Sequence, residues 1–215
     1  MIPIRVRKII SIRKKENDID FSGLKQLIDD AAMPGPAMVA NYRSACVFLL
    51  LFNREETHFL AIQKSDHDDY PWRNQVALPG GHIERNDAGP VEAAFRELEE
   101  EVNIPRNQVE LIGSLGHFQT IIKPRDIEVF VGWWNGKGPI RYDSVEISRV
   151  LEIPLKKLIQ THVANGYHGR NPGVKELTYP FLDVVIWGAS ARILHHFIEI
   201  IYPLLERHGY FGALE

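Results

Sequence analysis

The sequence predicts an α/β protein in which helices cover the faces of a mixed β-sheet. Three observations support this fold class. Runs with β character occur both before and after the segment Pro90–Asn103, and that segment shows the clearest helical periodicity in the chain. A second amphipathic stretch, Trp187–Glu206, follows the last of these runs. Strands on both sides of one central helix, with another helix at the end, are typical of a sheet with helices packed on its faces.

The part of the chain before the central helix is predicted to contain one helix and three strands. Phe21–Ala32 has apolar residues at helical spacing and is followed by a Pro-Gly-Pro stop. Ser44–Asn53 and His58–Lys64 read as the two strands of a hairpin with a polar turn between them. A polar loop, Ser65–Asn74, then leads into the short strand Gln75–Gly81, which ends in Pro-Gly-Gly and therefore in a sharp turn.

The central segment is predicted to be an amphipathic helix because its apolar residues recur at i, i+3, i+4, i+7 and i+11. These residues are Val91, Ala94, Phe95, Leu98 and Val102. Strands are predicted after it at Val109–Leu115, Glu128–Trp134 and Arg149–Ile153. Lys137–Tyr142, which is rich in Gly and Pro, is predicted to be an irregular connection.

The length and composition favour one domain. A chain of 215 residues with 45% hydrophobic residues is long enough to bury a core and fits one unit better than two. We expect a single domain over residues 1–215, with an N-terminal extension at 1–42 that contains a helix and a core at 43–206.

The charge and the single cysteine limit the classes of partner. A net charge of -3 gives no general field that would attract nucleic acid or anionic lipid, and no segment has the apolar length of a membrane span. Cys46 lies in an apolar run and is expected to be a buried, inert thiol. We therefore expect a cytoplasmic protein that binds a small molecule and neither nucleic acid nor membrane.

Three carboxylates of the central helix form a candidate metal site. Glu97, Glu100 and Glu101 project within an arc of about 100° of the helix. Like charges at i, i+4 repel, and the C-terminal half of a helix prefers cations. A hard divalent cation such as Mg²⁺ would offset this repulsion. Taken alone, such a run of glutamates is more often a solvated helix face. The turn at Gly80 and Gly81 strengthens the metal-site prediction, because it can place a backbone carbonyl beside the same metal.

With these residues the chain resembles the Nudix hydrolases, whose signature is G-x5-E-x7-R-E-U-x-E-E-x-G-U, where U is aliphatic. Gly81 opens the motif, and residues 96–104 match its second half at each fixed position except Asn103, where the family has Gly. The first half differs, because Asp87 occupies the acidic position and eight residues separate it from Arg96.

That difference is shared with a branch similar to the coenzyme A diphosphatases, which has G-x5-D-x8-R-E. The Gln-Val-Ala-Leu-Pro-Gly-Gly run at 75–81 and the Ile-Trp-Gly-Ala-Ser-Ala-Arg-Ile-Leu run at 186–194 resemble two further elements of this branch. The branch has His-x-Gly ahead of Gln-Val, and this chain has Trp72-Arg73-Asn74 there instead. The resemblance covers roughly Arg43–Leu205.

The resemblance implies an α/β/α sandwich and a metal-dependent hydrolase. Glu97 and Glu101 would be the principal ligands of Mg²⁺, with Mn²⁺ as a substitute, and the carbonyl of Gly80 would complete the shell. Glu100 would be a further ligand or would accept a proton. Arg96 would orient the acidic residues. Asn103 tolerates positive φ, so activity is expected to survive its presence in place of Gly.

Further residues were considered for the substrate. Lys64, Arg73 and Gly81 are assigned to substrate binding, the two cations as phosphate ligands. Other candidates are less specific, because each has a structural role as an alternative. These are Arg125 for phosphate, Tyr70, Trp72 and Phe118 for stacking on a base, and Glu146 and Glu176 as general bases.

A histidine-based metal centre is not expected, because the histidines show no spacing of a closed zinc site. The five considered are His117, His162, His168, His195 and His196.

The sequence is compatible with three functions. The first is hydrolysis of coenzyme A or an acyl-coenzyme A. The second keeps the chemistry and changes the substrate to ADP-ribose, a dinucleotide or a nucleoside triphosphate. The third is a non-catalytic nucleotide sensor, against which the three intact carboxylates argue. Many family members pair through sheets or N-terminal segments, so a homodimer formed through Met1–Ile19 is a further hypothesis.

Overall fold

The computed structural model describes residues 23–38, 41–66, 72–120 and 123–207. Its helices are α1 (Leu24–Asp30), α2 (Pro90–Val102), α3 (Leu155–Ala164) and α4 (Gly188–Arg207). Its strands are β1 (Arg43–Asn53), β2 (Thr57–Lys64), β3 (Val76–Ala77), β4 (Gly80–His82), β5 (Val109–Gln119), β6 (Arg125–Trp134), β7 (Ile147–Pro154), β8 (Tyr179–Phe181) and β9 (Val184–Ile186).

Seven strands form one mixed sheet, and β8 and β9 form a separate hairpin. The main path runs β3-β2-β1-β6-β5, with β4 paired to β1 and β7 paired to β2. Strands β1 and β6 are parallel, and the other pairs are antiparallel. The prediction of an α/β fold with a mixed sheet is therefore confirmed.

The core lies on both faces of this sheet. Successive side chains of a strand point to opposite faces, and in β1 Phe48 and Leu50 belong to the cluster that includes Phe95 and Leu98 of α2. Leu49 belongs to the other cluster, which contains residues of α1, α3 and α4. A strand that is apolar on both faces is what a fully covered central strand requires. The helices thus form two outer layers around the sheet.

Most predicted elements agree with the structure within a few residues. The segment predicted as one strand at Gln75–Gly81 is instead two short strands, because Gly80 has φ 142° and the chain bends between β3 and β4. The leading helix begins at Leu24 rather than Phe21 and ends at Asp30, and Phe21 and Met1–Ile19 lie outside the described residues.

The elements α3, β8 and β9 were not predicted. In α3 the buried residues recur at i, i+3, i+4 and i+7 as the period requires, but the last of these is His162, a polar residue that weakens the apolar pattern. In the part of the chain that the structure describes, no helix is long and apolar enough to span a bilayer.

Candidate active site

Helix α2 carries the three candidate carboxylates and ends where the family motif usually has Gly. Pro90 occupies its first turn, where a missing N–H costs nothing. At its C-terminus Asn103 adopts a left-handed conformation, with φ 58° and ψ 38°, and its N–H bonds the carbonyl of Glu99. Asparagine reaches this region more easily than most residues. The helix therefore ends normally despite the substitution.

Arg96 forms ion pairs with three acidic residues at once. Its guanidinium contacts Asp87 at 3.0 and 3.1 Å, Glu97 Oε1 at 3.0 Å and Glu100 Oε2 at 2.8 Å. It also donates to the carbonyl of His82 at 3.0 Å. These bonds raise the pKa of Arg96 and lower the pKa of Asp87, which also accepts a backbone N–H from Glu84. Arg96 thus fixes the α2 carboxylates relative to strand β4.

Glu101 faces the end of strand β2. Its Oε1 lies 2.6 Å from the Nζ of Lys64, and its Oε2 accepts the N–H of Gly80 at 2.9 Å. The side chains of Lys64 and Glu101 are only 10% and 8% exposed. The ammonium predicted to bind phosphate is therefore paired with a candidate metal ligand in this structure.

Gly80 and Gly81 are required in the turn because other atoms lie where a Cβ atom would be. At Gly80 a Cβ would lie 2.2 Å from the carbonyl oxygen of Cys46, and the residue already has positive φ. At Gly81 a Cβ would lie 2.5 Å from the carboxylate of Glu97. Any larger residue at either position would displace the backbone of β1 or a candidate ligand.

The electrostatics of Glu97 fit a site built for a cation. Burial raises its pKa, Arg96 opposes this shift, and the charges of Glu101 and Glu100 raise the pKa further. The net shift is upward although a guanidinium lies beside the carboxylate, because burial is the largest of these causes. Three carboxylates form an all-oxygen donor set, which suits Mg²⁺ or Mn²⁺ better than a softer metal.

A pocket of about 630 Å³ lies next to Lys64, the partner of Glu101, although none of the three carboxylates lines it. The pocket lies between one end of the sheet and the start of α4, and Lys64 is one of the residues that line it. Its other described charged residues are Lys123, Lys175 and Arg192, and Trp72 and Trp187 contribute aromatic surface. No described residue that lines it is acidic. The pocket therefore concentrates positive charge in a chain whose net charge is -3.

The structure places several predicted residues elsewhere or in different roles. Arg73 forms an exposed ion pair with Asp66 at 3.2 Å, and it is not among the described residues of the pocket wall. Its assignment to substrate binding stays a prediction. Phe118 is buried, with its ring 5.6 Å from that of His196, so it packs in the core instead of presenting a face to a base.

Trp72, a candidate for stacking on a base, is partly exposed, and its stacking role stays a prediction. It lines the pocket, and cationic groups of Lys123 and Arg125 lie 5.2 and 6.0 Å from the centre of its ring. Tyr70 lies outside the described residues.

Neither of the two later glutamates is placed as a general base by its contacts. Glu176 binds the guanidinium of Arg170 at 2.8 Å, and both side chains are about half exposed. Glu146 is exposed, although its carbonyl accepts the N–H of Ser65, next to Lys64.

Sequence reasoning missed most of the pocket wall. Lys123, Lys175 and Arg192 were not proposed as ligand-binding residues. A signal was present for Arg192 alone, since residues 186–194 resemble an element of the coenzyme A diphosphatase-like branch. In the structure this element lines the pocket. It is also hydrogen-bonded to the strands, since Ser190 Oγ donates to the carbonyl of Val76 at 3.1 Å and Arg192 donates to the carbonyl of Gln119 at 3.1 Å.

The chain resembles known proteins in sequence and in fold. The model of the NUDIX domain matches residues 42–174. Proteins described as "Uncharacterized Nudix hydrolase NudL" from Salmonella paratyphi B and from Escherichia coli K12 are each 32% identical over 157 residues, which is 72% of this chain and 80% of theirs. A solved structure of a MutT/nudix family protein from Enterococcus faecalis aligns with TM-score 0.51 at 16% identity, covering 85% of this chain and 72% of that one.

The last of these similarities concerns the fold alone. The domain match and the two relatives concern the sequence, and they include the turn at 80–81 and helix α2, on which the carboxylates lie. The chain therefore belongs to the Nudix hydrolases, enzymes that act on the pyrophosphate bonds of nucleoside diphosphate derivatives.

Proposed function

We propose that the substrate is coenzyme A or an acyl-coenzyme A, and that its diphosphate linkage is hydrolysed in a Mg²⁺-dependent reaction. The products would be an adenosine phosphate and a phosphopantetheine-like phosphate. One observation carries this proposal: the pocket next to the partner of Glu101 brings together four cations and no acidic residue among its described lining.

The number of cations favours a substrate with phosphate in addition to the diphosphate. Coenzyme A carries a 3′-phosphate on its ribose, which dinucleotides and ADP-ribose lack. Lys123, Lys175 and Arg192 come from three separate segments, so their convergence on one pocket is a property of the fold and not of a local charged run. The rings of Trp72 and Trp187 offer surface on which an adenine could stack.

Lys64 connects this pocket to the carboxylates. It lines the pocket, and its ammonium lies 2.6 Å from Glu101. A substrate whose nucleotide end occupies the pocket would therefore present its diphosphate near α2. Lys64 and the backbone at Gly81 are proposed to contact the phosphates there.

In the proposed reaction Glu97, Glu100 and Glu101, with the carbonyl of Gly80, hold the metal ion. When bound, Mg²⁺ neutralises the phosphate oxygens and lowers the pKa of the attacking water. Glu100 is 60% exposed at its side chain, which allows it to accept a proton from water. Arg96 keeps Glu97 and Glu100 in position, and Asp87 in turn holds Arg96.

The test is product analysis by chromatography with mass detection. The panel contains coenzyme A, acyl-coenzyme A, 3′-dephospho-coenzyme A, ADP-ribose, dinucleotides and nucleoside triphosphates, each with Mg²⁺, with Mn²⁺ and with chelator. We expect coenzyme A to be cleaved with the highest kcat/KM and chelator to abolish turnover. A preference for ADP-ribose or a dinucleotide would leave the Nudix chemistry intact and reject the coenzyme A assignment.

Two variants separate the pocket from the chemistry. Lys175→Ala should raise KM for coenzyme A more than for its 3′-dephospho form, and Lys25→Ala, on α1, should change neither. Glu100→Gln should lower kcat by about 10²- to 10⁴-fold as loss of a general base does. We choose Glu100 for this purpose because Glu101→Gln would also leave the buried ammonium of Lys64 without its carboxylate.

A further inference from the structure

A cluster of histidines and a glutamate lies between α3 and α4, on the face of the sheet opposite α2. One ring nitrogen each of His162 and His195 and one carboxylate oxygen of Glu199 all lie within 4.8 Å of one another. His162 is fully buried, His195 is 8% exposed, and Glu199 is partly exposed. No histidine-based metal centre was expected from the sequence, because the histidines show no spacing of a closed zinc site. Here His195 and Glu199 are one turn apart on α4, and α3, which was not predicted, supplies His162.

The separations suit a small metal ion. Zinc ligands lie at about 2.0 to 2.2 Å, so ligand atoms of a tetrahedral site are about 3.4 Å apart. His162 Nε2 and Glu199 Oε1 are now 2.8 Å apart, and no pair in the set exceeds 4.8 Å. A tetrahedral ion therefore fits after small shifts of these side chains.

Each histidine also has a hydrogen-bond partner at a ring nitrogen. Nδ1 of His162 lies 2.9 Å from the hydroxyl of Tyr179, and Nε2 of His195 lies 3.3 Å from the carbonyl of Tyr167. A carbonyl oxygen only accepts, so Nε2 of His195 carries its proton and Nδ1 keeps a lone pair. Histidines that bind metals are oriented in this way by a partner on the other nitrogen.

A fourth position is available on the solvent side. His168 is about half exposed, and its Nδ1 lies 3.1 Å from Glu199 Oε1. Its ring stacks on that of Tyr202 with 3.4 Å between centres. His168 lies outside the set of mutually close ligand atoms, so a water molecule would occupy this position.

We propose that His162, His195 and Glu199 form a second metal site that binds Zn²⁺ or a similar transition-metal ion. Two imidazoles and one carboxylate suit such an ion, whereas the carboxylates of α2 suit Mg²⁺. Because the site joins α3 to α4 away from the α2 carboxylates, its role is to fasten these helices. It is therefore independent of the substrate proposed above.

The experiment uses the full chain, stripped with chelator and then held in excess Mg²⁺ so that the α2 carboxylates are occupied. Co²⁺ is titrated as a spectroscopic substitute, and Zn²⁺ is then added in competition. We expect one equivalent of Co²⁺ to produce visible d–d absorption, Zn²⁺ to displace it, and Zn²⁺ to raise the melting temperature. His195→Gln and Glu199→Gln should weaken Zn²⁺ binding at least tenfold while Mg²⁺-dependent hydrolysis is retained, and His58→Ala serves as a control outside the cluster.

X-ray absorption on the zinc-loaded wild-type protein keeps the test independent of the folding of any variant. Two imidazole nitrogens in the first coordination shell would support the proposal. The proposal would be overturned if no equivalent of Zn²⁺ stayed bound to the protein in excess Mg²⁺. It would also be overturned if all ligands of the bound zinc were oxygen atoms. The cluster would then be a hydrogen-bonded network in which Glu199 accepts from His162, His168 and the N–H of Gly169.

Discussion

The ammonium of Lys64 lies 2.6 Å from the carboxylate of Glu101, and neither side chain is more than a tenth exposed. A buried ion pair is costly to disrupt from one side, since the remaining charge loses its partner. The same pair lies where the proposed metal site meets the substrate pocket. We therefore expect folding stability and metal binding to be coupled at this point.

Lys64→Met should reveal that coupling. Without metal we expect the free energy of unfolding to fall by about 3 kcal/mol, as for a buried pair that loses one partner. Mg²⁺ should restore part of the loss, because the cation can replace the ammonium beside Glu101. Urea denaturation with Mg²⁺ and with chelator measures both effects. Lys25→Met, which removes an exposed pair with Asp29, should cost less than about 0.5 kcal/mol and show no such rescue.

Arg96→Lys tests whether the guanidinium positions the carboxylates. A lysine keeps the charge but cannot form five directed bonds to Asp87, Glu97, Glu100 and the carbonyl of His82. We expect activity or metal affinity to fall by about 10- to 100-fold, as is usual for a partner that orients metal ligands. Mg²⁺ dependence of kcat and KM measures this. Arg106→Lys, which alters only the pair with Glu92 and the contact with the ring of Phe95, should leave both parameters unchanged.

Asn103 should be replaceable by Gly but not by Ala. Its left-handed conformation is open to Gly and costs an alanine about 1 kcal/mol. Asn103→Gly should therefore keep activity within about twofold, and Asn103→Ala should lower the melting temperature further than Asn103→Gly does. Equal melting temperatures for the two variants would show that the backbone conformation is not what Asn103 supplies.

Cys46 should not react with thiol reagents in the folded protein. Its side chain is fully buried, and burial, as the main cause, raises the pKa of the thiol to about 12. The thiolate is the reactive form, and it is scarce at neutral pH. Reaction with a disulfide reagent should begin only as denaturant unfolds the chain, with a midpoint that matches the loss of helical circular dichroism. Stoichiometric labelling under native conditions would contradict the packing of β1.

The pair between Arg54 and Glu152 should make a small pH-dependent contribution to stability. Two hydrogen bonds from Arg54, at 2.8 and 3.0 Å, lower the pKa of Glu152 below its ordinary value. A lowered pKa in the folded state contributes stability above the ordinary value, and that stability is lost as the pH falls through the lowered value. Glu152→Gln should destabilise by about 0.5 to 1 kcal/mol at pH 7, because the pair is partly exposed. The difference from wild type should vanish at low pH in urea titrations.

The sequence allowed α2 and its three carboxylates to be predicted because that information is local. A helical period is visible in one segment, and the positions of Glu97, Glu100 and Glu101 on the helix follow from it. The left-handed C-terminus at Asn103 was also predictable, since it depends on the preference of one residue.

The pairing of Lys64 with Glu101 was not predictable from the sequence. The two residues are 37 positions apart and meet only because β2 ends beside α2. The same is true of the pocket cations, and of His162 and His195, which belong to different helices. Periodicity describes one element at a time, whereas these contacts depend on how elements pack.

The parallel pairing of β1 with β6 has a consequence for the nascent chain. Each paired residue of β6 follows its partner in β1 by 82 positions, as in Arg43 with Arg125. At about 5 to 20 residues per second, translation leaves β1 without this neighbour for roughly 4 to 16 s. Its apolar run would be prone to aggregation for that time if exposed. Strand β2 follows after a three-residue turn and pairs only with Leu51–Asn53, so the emerging hairpin covers the end of β1 and leaves most of its apolar run without the β6 neighbour until that strand is made.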